Sequence, residues 1–189
     1  MNVIISWDIG IRTLSFSVIE MNNDTNSFKI KGWKVLDILD GKYKVSKVSD
    51  KILISCLISS INKYRDLIAN NSIKRVVIEN QASKFPKMKS IQTALITFYI
   101  MNGFTSSQII TQFAMKKFDV IGGNESITSK YRGKKNRQHR KSLALNVCKR
   151  ILNHEKKEKA LSFIEKNGSH DLADCLLTGL SYLQYKLKE

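Results

Sequence analysis

The sequence predicts an α/β fold: a five-stranded mixed sheet, three antiparallel strands and then parallel ones, flanked by helices. Two observations carry this. Residues 3–36 contain a short apolar run and two segments of two-residue periodicity, separated by turn signals. From residue 48 onward, helical periodicity alternates with short apolar runs, the pattern of strands joined by crossover helices. With 189 residues, 42% hydrophobic and 25% charged, the chain reads as one domain, 1–189, able to bury its own core.

The elements follow in order. VIISWD (3–8) is an apolar run ending in an acid, and RTLSFSVIE (12–20) alternates polar and apolar, with Gly10 at the turn between them. SFKIKGWKVL (27–36) alternates again after MNNDTN. Residues 48–70 carry apolar side chains at helical spacing, including Leu53, Leu57, Ile61 and Ile68. A strand at 74–79 ends in Glu79. Pro86, the only proline, opens a helix that runs to about 102 and stops at Gly103. A strand is expected at 108–113, a loop at 120–136, and helices at 138–152, 155–166 and 170–187, the last capped by Ser169. Trp7, Phe16 and Trp33 are expected in the core and not as base-stacking platforms.

The charge is unusual. Thirty-two Lys and Arg face sixteen Asp and Glu, a net +16, which points to a polyanionic partner, nucleic acid above a membrane surface. No apolar stretch is long enough to span a bilayer. Cys56, Cys148 and Cys175 have no CxxC spacing, so neither a zinc site nor a disulfide framework is expected, and reduced thiols suit an intracellular protein. The N-terminus reads as a core strand and not as a leader, which weighs against a mitochondrial address.

Four of the acids stand out. Asp8 and Glu79 end buried strands, where a carboxylate must be offset by a partner or a cation. Both strands are expected to be central and adjacent, so the two acids lie side by side. Asp171 and Asp174 are spaced i, i+3 at the start of an apolar helix and share one face. For these two, a favourable helix dipole is the competing explanation, and for Asp8 it is a salt bridge at a strand end. Taken together, an all-carboxylate set suits a hard cation, Mg2+ with Mn2+ able to substitute. Two such ions about 4 Å apart support phosphodiester hydrolysis.

The basic run KYRGKKNRQHRK (130–141) holds Lys130, Arg132, Lys134, Lys135, Arg137, Arg140 and Lys141 and no acid. Phosphate contact is its functional reading and a solvated charge run the plain one. Lys84, Lys87 and Lys89 flank Pro86 just after Glu79, and Arg12 follows the first turn, so all four are expected to border the same cleft. Lys141 opens a helix and is expected to stabilise charge at the scissile phosphate, with Lys134 and Lys135 competing for that role. His170, beside Asp171, reads as a supporting residue, a general base or a plain helix-start side chain.

WDIG (7–10), VVIENQ (76–81) and SHDLADC (169–175) together resemble the three acidic motifs of the RuvC-type Holliday junction resolvases, especially those of poxviruses, related large DNA viruses and fungal mitochondria. The resemblance implies a ribonuclease H-like fold, a homodimer, Mg2+ or Mn2+ at two ions per site, and paired nicks across four-way and other branched DNA junctions. It assigns the metal ions to Asp8, Glu79, Asp171 and Asp174, and an assisting basic residue to Lys141. One departure is His170, where the poxvirus-like pattern often has an acid. DIGIRT also resembles the phosphate loop of actin-type ATPases, but that architecture needs two domains. The alternatives that remain are another ribonuclease H-fold nuclease (RNA–DNA hybrid or transposase-type) and a non-catalytic structure-specific DNA-binding module.

Overall fold

The computed structural model describes residues 2–22, 24–121, 137–167 and 169–185. Lys130, Arg132, Lys134 and Lys135 lie outside the described residues, as does the side chain of Arg137.

The opening run Asn2–Asp8 (β1) pairs antiparallel with Leu14–Asn22 (β2), which pairs antiparallel with Ser27–Leu36 (β3). Ile73–Glu79 (β4) joins the other edge of β1 in parallel, and Ile109–Gln112 (β5) joins β4 in parallel. The order β3-β2-β1-β4-β5 is the expected five-stranded mixed sheet. β1 and β4 are neighbours at its centre because the crossover between parallel strands runs through helices packed on one face.

Alternation along β1 divides the core in two. Ile5 and Trp7 face one side with Phe16, Val76 and Ile78, under the helices Asp50–Asn62 (α1) and Pro86–Met101 (α3). Ile4 faces the other side with Ile19 and Val77. That side is covered by Arg137–His154 (α4), Glu158–Asn167 (α5) and His170–Tyr182 (α6). Every residue of α6 from Leu172 to Leu180 is buried, so this helix is the central support of the second layer. Trp7, Phe16 and Trp33 are all core residues, as expected, and Trp7 Nε1 donates to the Tyr99 hydroxyl at 2.9 Å.

Local signals set several boundaries as read from the sequence. Pro86 opens α3, and Gly103, at φ +85°, turns the chain after it. Ser169 caps α6 by accepting from the Leu172 amide. Others differ. The helix expected at 48–70 breaks after Asn62 into α1 and a short turn, Arg65–Ile68 (α2). At the break, Tyr64 packs against Phe16 and Arg65 donates twice to Asn102 Oδ1, so tertiary contacts override a continuous helical pattern. β5 is shorter than 108–113 because Gln108 closes a capping box with Thr105 and ends a 3-10 turn instead. Ala114–Ile121 forms a 3-10 helix that periodicity did not signal. The final helix stops at Tyr182, five residues short of 187, and the chain turns through Gln184 at φ +59°.

α6 lies close to the sheet at Gly179. A Cβ there would fall 2.5 Å from Ile19 Cδ1 and 2.6 Å from Ser6 Oγ. Gly179→Val is therefore expected to lower the urea midpoint with the slope unchanged, a loss of about 1–3 kcal/mol from overpacking; an unchanged midpoint would refute this close seating of the helix.

Candidate active site

The sheet brings the first two acids together by register. Trp7 pairs with Ile78 in the parallel β1–β4 ladder, so the next residues, Asp8 and Glu79, stand abreast at the carboxyl ends of adjacent strands. Their carboxyl groups are close enough to repel each other. Burial, then repulsion from Glu79, holds Asp8 well above the usual carboxylate range. Glu79 is kept in place from the loop that follows it. Gln81 Nε2 donates to Glu79 Oε2 at 3.0 Å, and the Gln81 amide donates to the buried Gln92 of α3.

α6 supplies the other two acids from above. Asp174 is buried, and its pKa is raised by that burial although Lys117 opposes the shift; Glu79 and Asp171 add repulsion. Asp174 also acts electrostatically on Asp8. Asp171, less buried, lies 3.8 Å from Lys141 Nζ. His170 Nδ1 lies 3.1 Å from the Lys141 carbonyl oxygen, a contact in which the ring N–H donates. His170 thus ties the start of α6 to α4 near the acid-facing lysine.

Lys117 is the member of the acid cluster that the sequence reading missed. It projects from the 3-10 helix after β5, and its Nζ meets Asp174 Oδ1 at 2.7 Å, with each side chain only 11% exposed. Burial alone would depress this lysine, but Asp174, Asp8 and Glu79 outweigh burial and raise it, so it stays a cation. The signal that locates it is topological. β5 lies beside β4 and pairs Gln112 with Glu79, so the segment that follows it starts at the acid end of the sheet. That segment is also anchored to α6, where Ser181 Oγ donates to the Lys116 carbonyl at 2.6 Å.

The other basic candidates are placed variously. Arg12 is engaged by Asp37 at 2.7 Å and by the Tyr43 carbonyl. Lys87 donates to the Val45 carbonyl, Lys89 to Gln92 Oε1 at 3.1 Å, and Lys84 lies over the Phe85 ring. Arg140 belongs to α4 and has interactions of its own. Cys56, Cys148 and Cys175 carry free thiols. Among the described residues, no helix is long and apolar enough to cross a membrane.

The donor chemistry of the acids fits a hard divalent cation: oxygen atoms only, with Asp174 Oδ1 buried and without a hydrogen-bond partner apart from its ion pair to Lys117. As placed, however, no three His, Cys, Asp or Glu among the described residues are arranged to hold a metal ion. Lys117 and Lys141 stand at oxygens of Asp174 and Asp171.

No family model matches the chain. An uncharacterized protein of Acanthamoeba polyphaga mimivirus is 33% identical over 146 residues, which is 68% of this chain and 33% of that protein. The chain thus spans about one third of the length of that curated relative. Among solved structures, the fowlpox virus Holliday junction resolvase aligns with 96% of this chain and 97% of its own at 19% identity and a TM-score of 0.55. The same viral enzyme solved with junction DNA gives 20% identity and 0.57, again over 96% and 97%. The yeast mitochondrial Holliday junction resolvase aligns over 97% and 79%, with 13% identity and a TM-score of 0.63. The chain has the ribonuclease H-like fold of these proteins.

The acid cluster has a measurable cost. The pKa of Asp8 is raised above its unfolded value of about 3.9, so the folded state favours the protonated form. Relative to an uncharged group, the ionised carboxylate destabilises the fold at neutral pH, and this penalty fades as pH falls through the raised pKa. With chelator present, Asp8→Asn is expected to melt above wild type at pH 7, and the gap to narrow as pH is lowered. A variant that melts below wild type at neutral pH, or a gap that grows on acidification, would contradict the assignment.

Proposed function

We propose that this chain is a metal-dependent endonuclease that resolves four-way and other branched DNA junctions by paired nicks. The observation that carries the reading is the convergence of acids from three elements, Asp8 of β1, Glu79 of β4 and the Asp171–Asp174 pair of α6, within a chain of net charge +16. The chain-long likeness to resolvases, one of them solved with junction DNA, supports the substrate class.

Asp8, Glu79, Asp171 and Asp174 would hold the cations, Mg2+ or Mn2+ at two per site. When bound, such ions lower the pKa of a water nucleophile and neutralise charge on the phosphate and its leaving oxygen. The protein's own part is positioning. The strand ends fix Asp8 and Glu79, and α6 presents its two acids from the opposite side. Lys117 and Lys141 stand at oxygens of Asp174 and Asp171 and would supply positive charge where negative charge develops on the phosphate. Cleavage would leave a 5′-phosphate and a nick that ligase can seal.

The basic side chains Arg12, Lys84, Lys87, Lys89 and those of 130–141 would track phosphates. Paired nicks need two active sites, so we propose a homodimer, whose two-fold symmetry would set one site on each of two opposed strands. An intracellular setting, host cytoplasm or virion, goes with this reading.

The discriminating experiment compares cleavage of a four-way junction, a fork, a linear duplex and an RNA–DNA hybrid, with Mg2+ and with chelator. Metal-dependent cutting of the junction above the others is expected, whereas preference for the hybrid would move the chain to a ribonuclease H activity. Asp8→Asn should bind the junction as wild type does and fail to cut it; wild-type cleavage by this variant would remove the metal assignment. Junction affinity should fall by roughly a thousandfold between 50 and 200 mM salt if six or more phosphates are contacted, and a flat response would refute the phosphate contacts.

A further inference from the structure

α6 is seated on the sheet by more than apolar packing. Four carbonyl oxygens of the helix accept side-chain hydrogen bonds from the sheet. Asp171 O accepts from Ser15 Oγ at 2.7 Å and Leu172 O from Trp33 Nε1 at 2.9 Å. Cys175 O accepts from Ser6 Oγ at 2.7 Å and Ser17 Oγ at 3.3 Å, and Thr178 O from Gln112 Nε2 at 3.3 Å. The donors come from β1, β2, β3 and β5, and all five are buried. Buried hydroxyl and amide groups cost stability unless bonded, and apolar side chains would hold a helix on a sheet without that cost. What the polar groups add is direction, since a hydrogen bond restrains sliding and rolling that apolar contact permits.

Their positions relate this seat to the acids. Ser15 is the cross-strand partner of Asp8, and Gln112 is the partner of Glu79. The two strand acids are therefore flanked, one on each side, by a residue that grips α6, and Ser15 grips the carbonyl of Asp171 itself. We propose that Ser15 and Gln112 are positioning residues of the acid cluster: they fix the axial position and rotation of α6 so that Asp171 and Asp174 face Asp8 and Glu79. This rests on the metal-centre reading above. Ser17 is the internal control. It faces the same helix from the same strand, but it pairs with Ser6, two residues back from the acid row.

The test measures Mn2+ affinity by calorimetry without DNA, together with hydrogen exchange along α6. Ser15→Ala is expected to lose about tenfold or more in Mn2+ affinity, as partners that orient metal ligands do, and to exchange faster over Leu172–Cys175. Ser17→Ala, which removes the same atom, should keep wild-type affinity, and Ser15→Thr should restore binding. Gln112→Met keeps the volume, removes the amide donor and should weaken binding in the same direction; it carries the test alone if Ser15→Ala does not fold. Wild-type affinity in Ser15→Ala and Gln112→Met, or an equal loss in Ser17→Ala, overturns the proposal. Absence of Mn2+ binding by the wild type overturns the metal-centre reading instead. The seat is then judged by exchange, and unchanged protection of Leu172–Cys175 in Ser15→Ala removes it as well.

Discussion

Asp8 and Asp174 are buried with Glu79 in one cluster, and the repulsion among these acids is the constraint around which the molecule is arranged. Two carboxylates about 4 Å apart repel by roughly 4 kcal/mol even at the effective dielectric of a protein surface, against a typical net stability of about 5–15 kcal/mol for a domain. The chain answers in two ways of its own. Burial and repulsion push the Asp8 carboxyl well above the usual range, and Lys117 brings a buried positive charge to Asp174. A bound divalent cation would be a third answer, and the stronger one, because it neutralises several oxygens at once.

The rest of the fold serves that placement. The β1–β4 ladder sets two acids abreast by backbone hydrogen bonds that no side-chain movement can shift. The α1–α3 face of the sheet is packed with apolar side chains, a rigid backing that needs no particular orientation. The opposite face differs. It carries Ser6, Ser15, Ser17 and Gln112 among its buried residues, each bonded to a carbonyl of α6. The face that must hold a helix in one rotation has the directional contacts.

Charge is divided in the same spirit. The molecule is strongly cationic, which raises encounter rates with a polyanion, yet its buried acids are concentrated at one point. Some basic side chains are spent on structure, as Arg12 is in holding Asp37 and the Tyr43 carbonyl. Arg12 and two neighbouring backbone amides hold Asp37 below the usual carboxylate range despite slight burial.

The sequence alone determined the periodicities and their punctuation, because these are local. The apolar run of β1, alternation in β2 and β3, the proline at the start of α3, Gly103 after it and the Ser169 cap act within a few residues. The four acids were visible for the same reason, each standing at the end or start of an otherwise apolar element. Tertiary structure alone decided what depends on residues distant in the chain. The break at Tyr64 follows from contacts with Phe16 and Asn102. Lys117 joined the acid cluster because β5 pairs beside β4 and starts its following segment level with Glu79. The serines of β1 and β2 read as ordinary strand residues until α6 was laid across them, since a hydroxyl acquires its role only from the acceptor it meets.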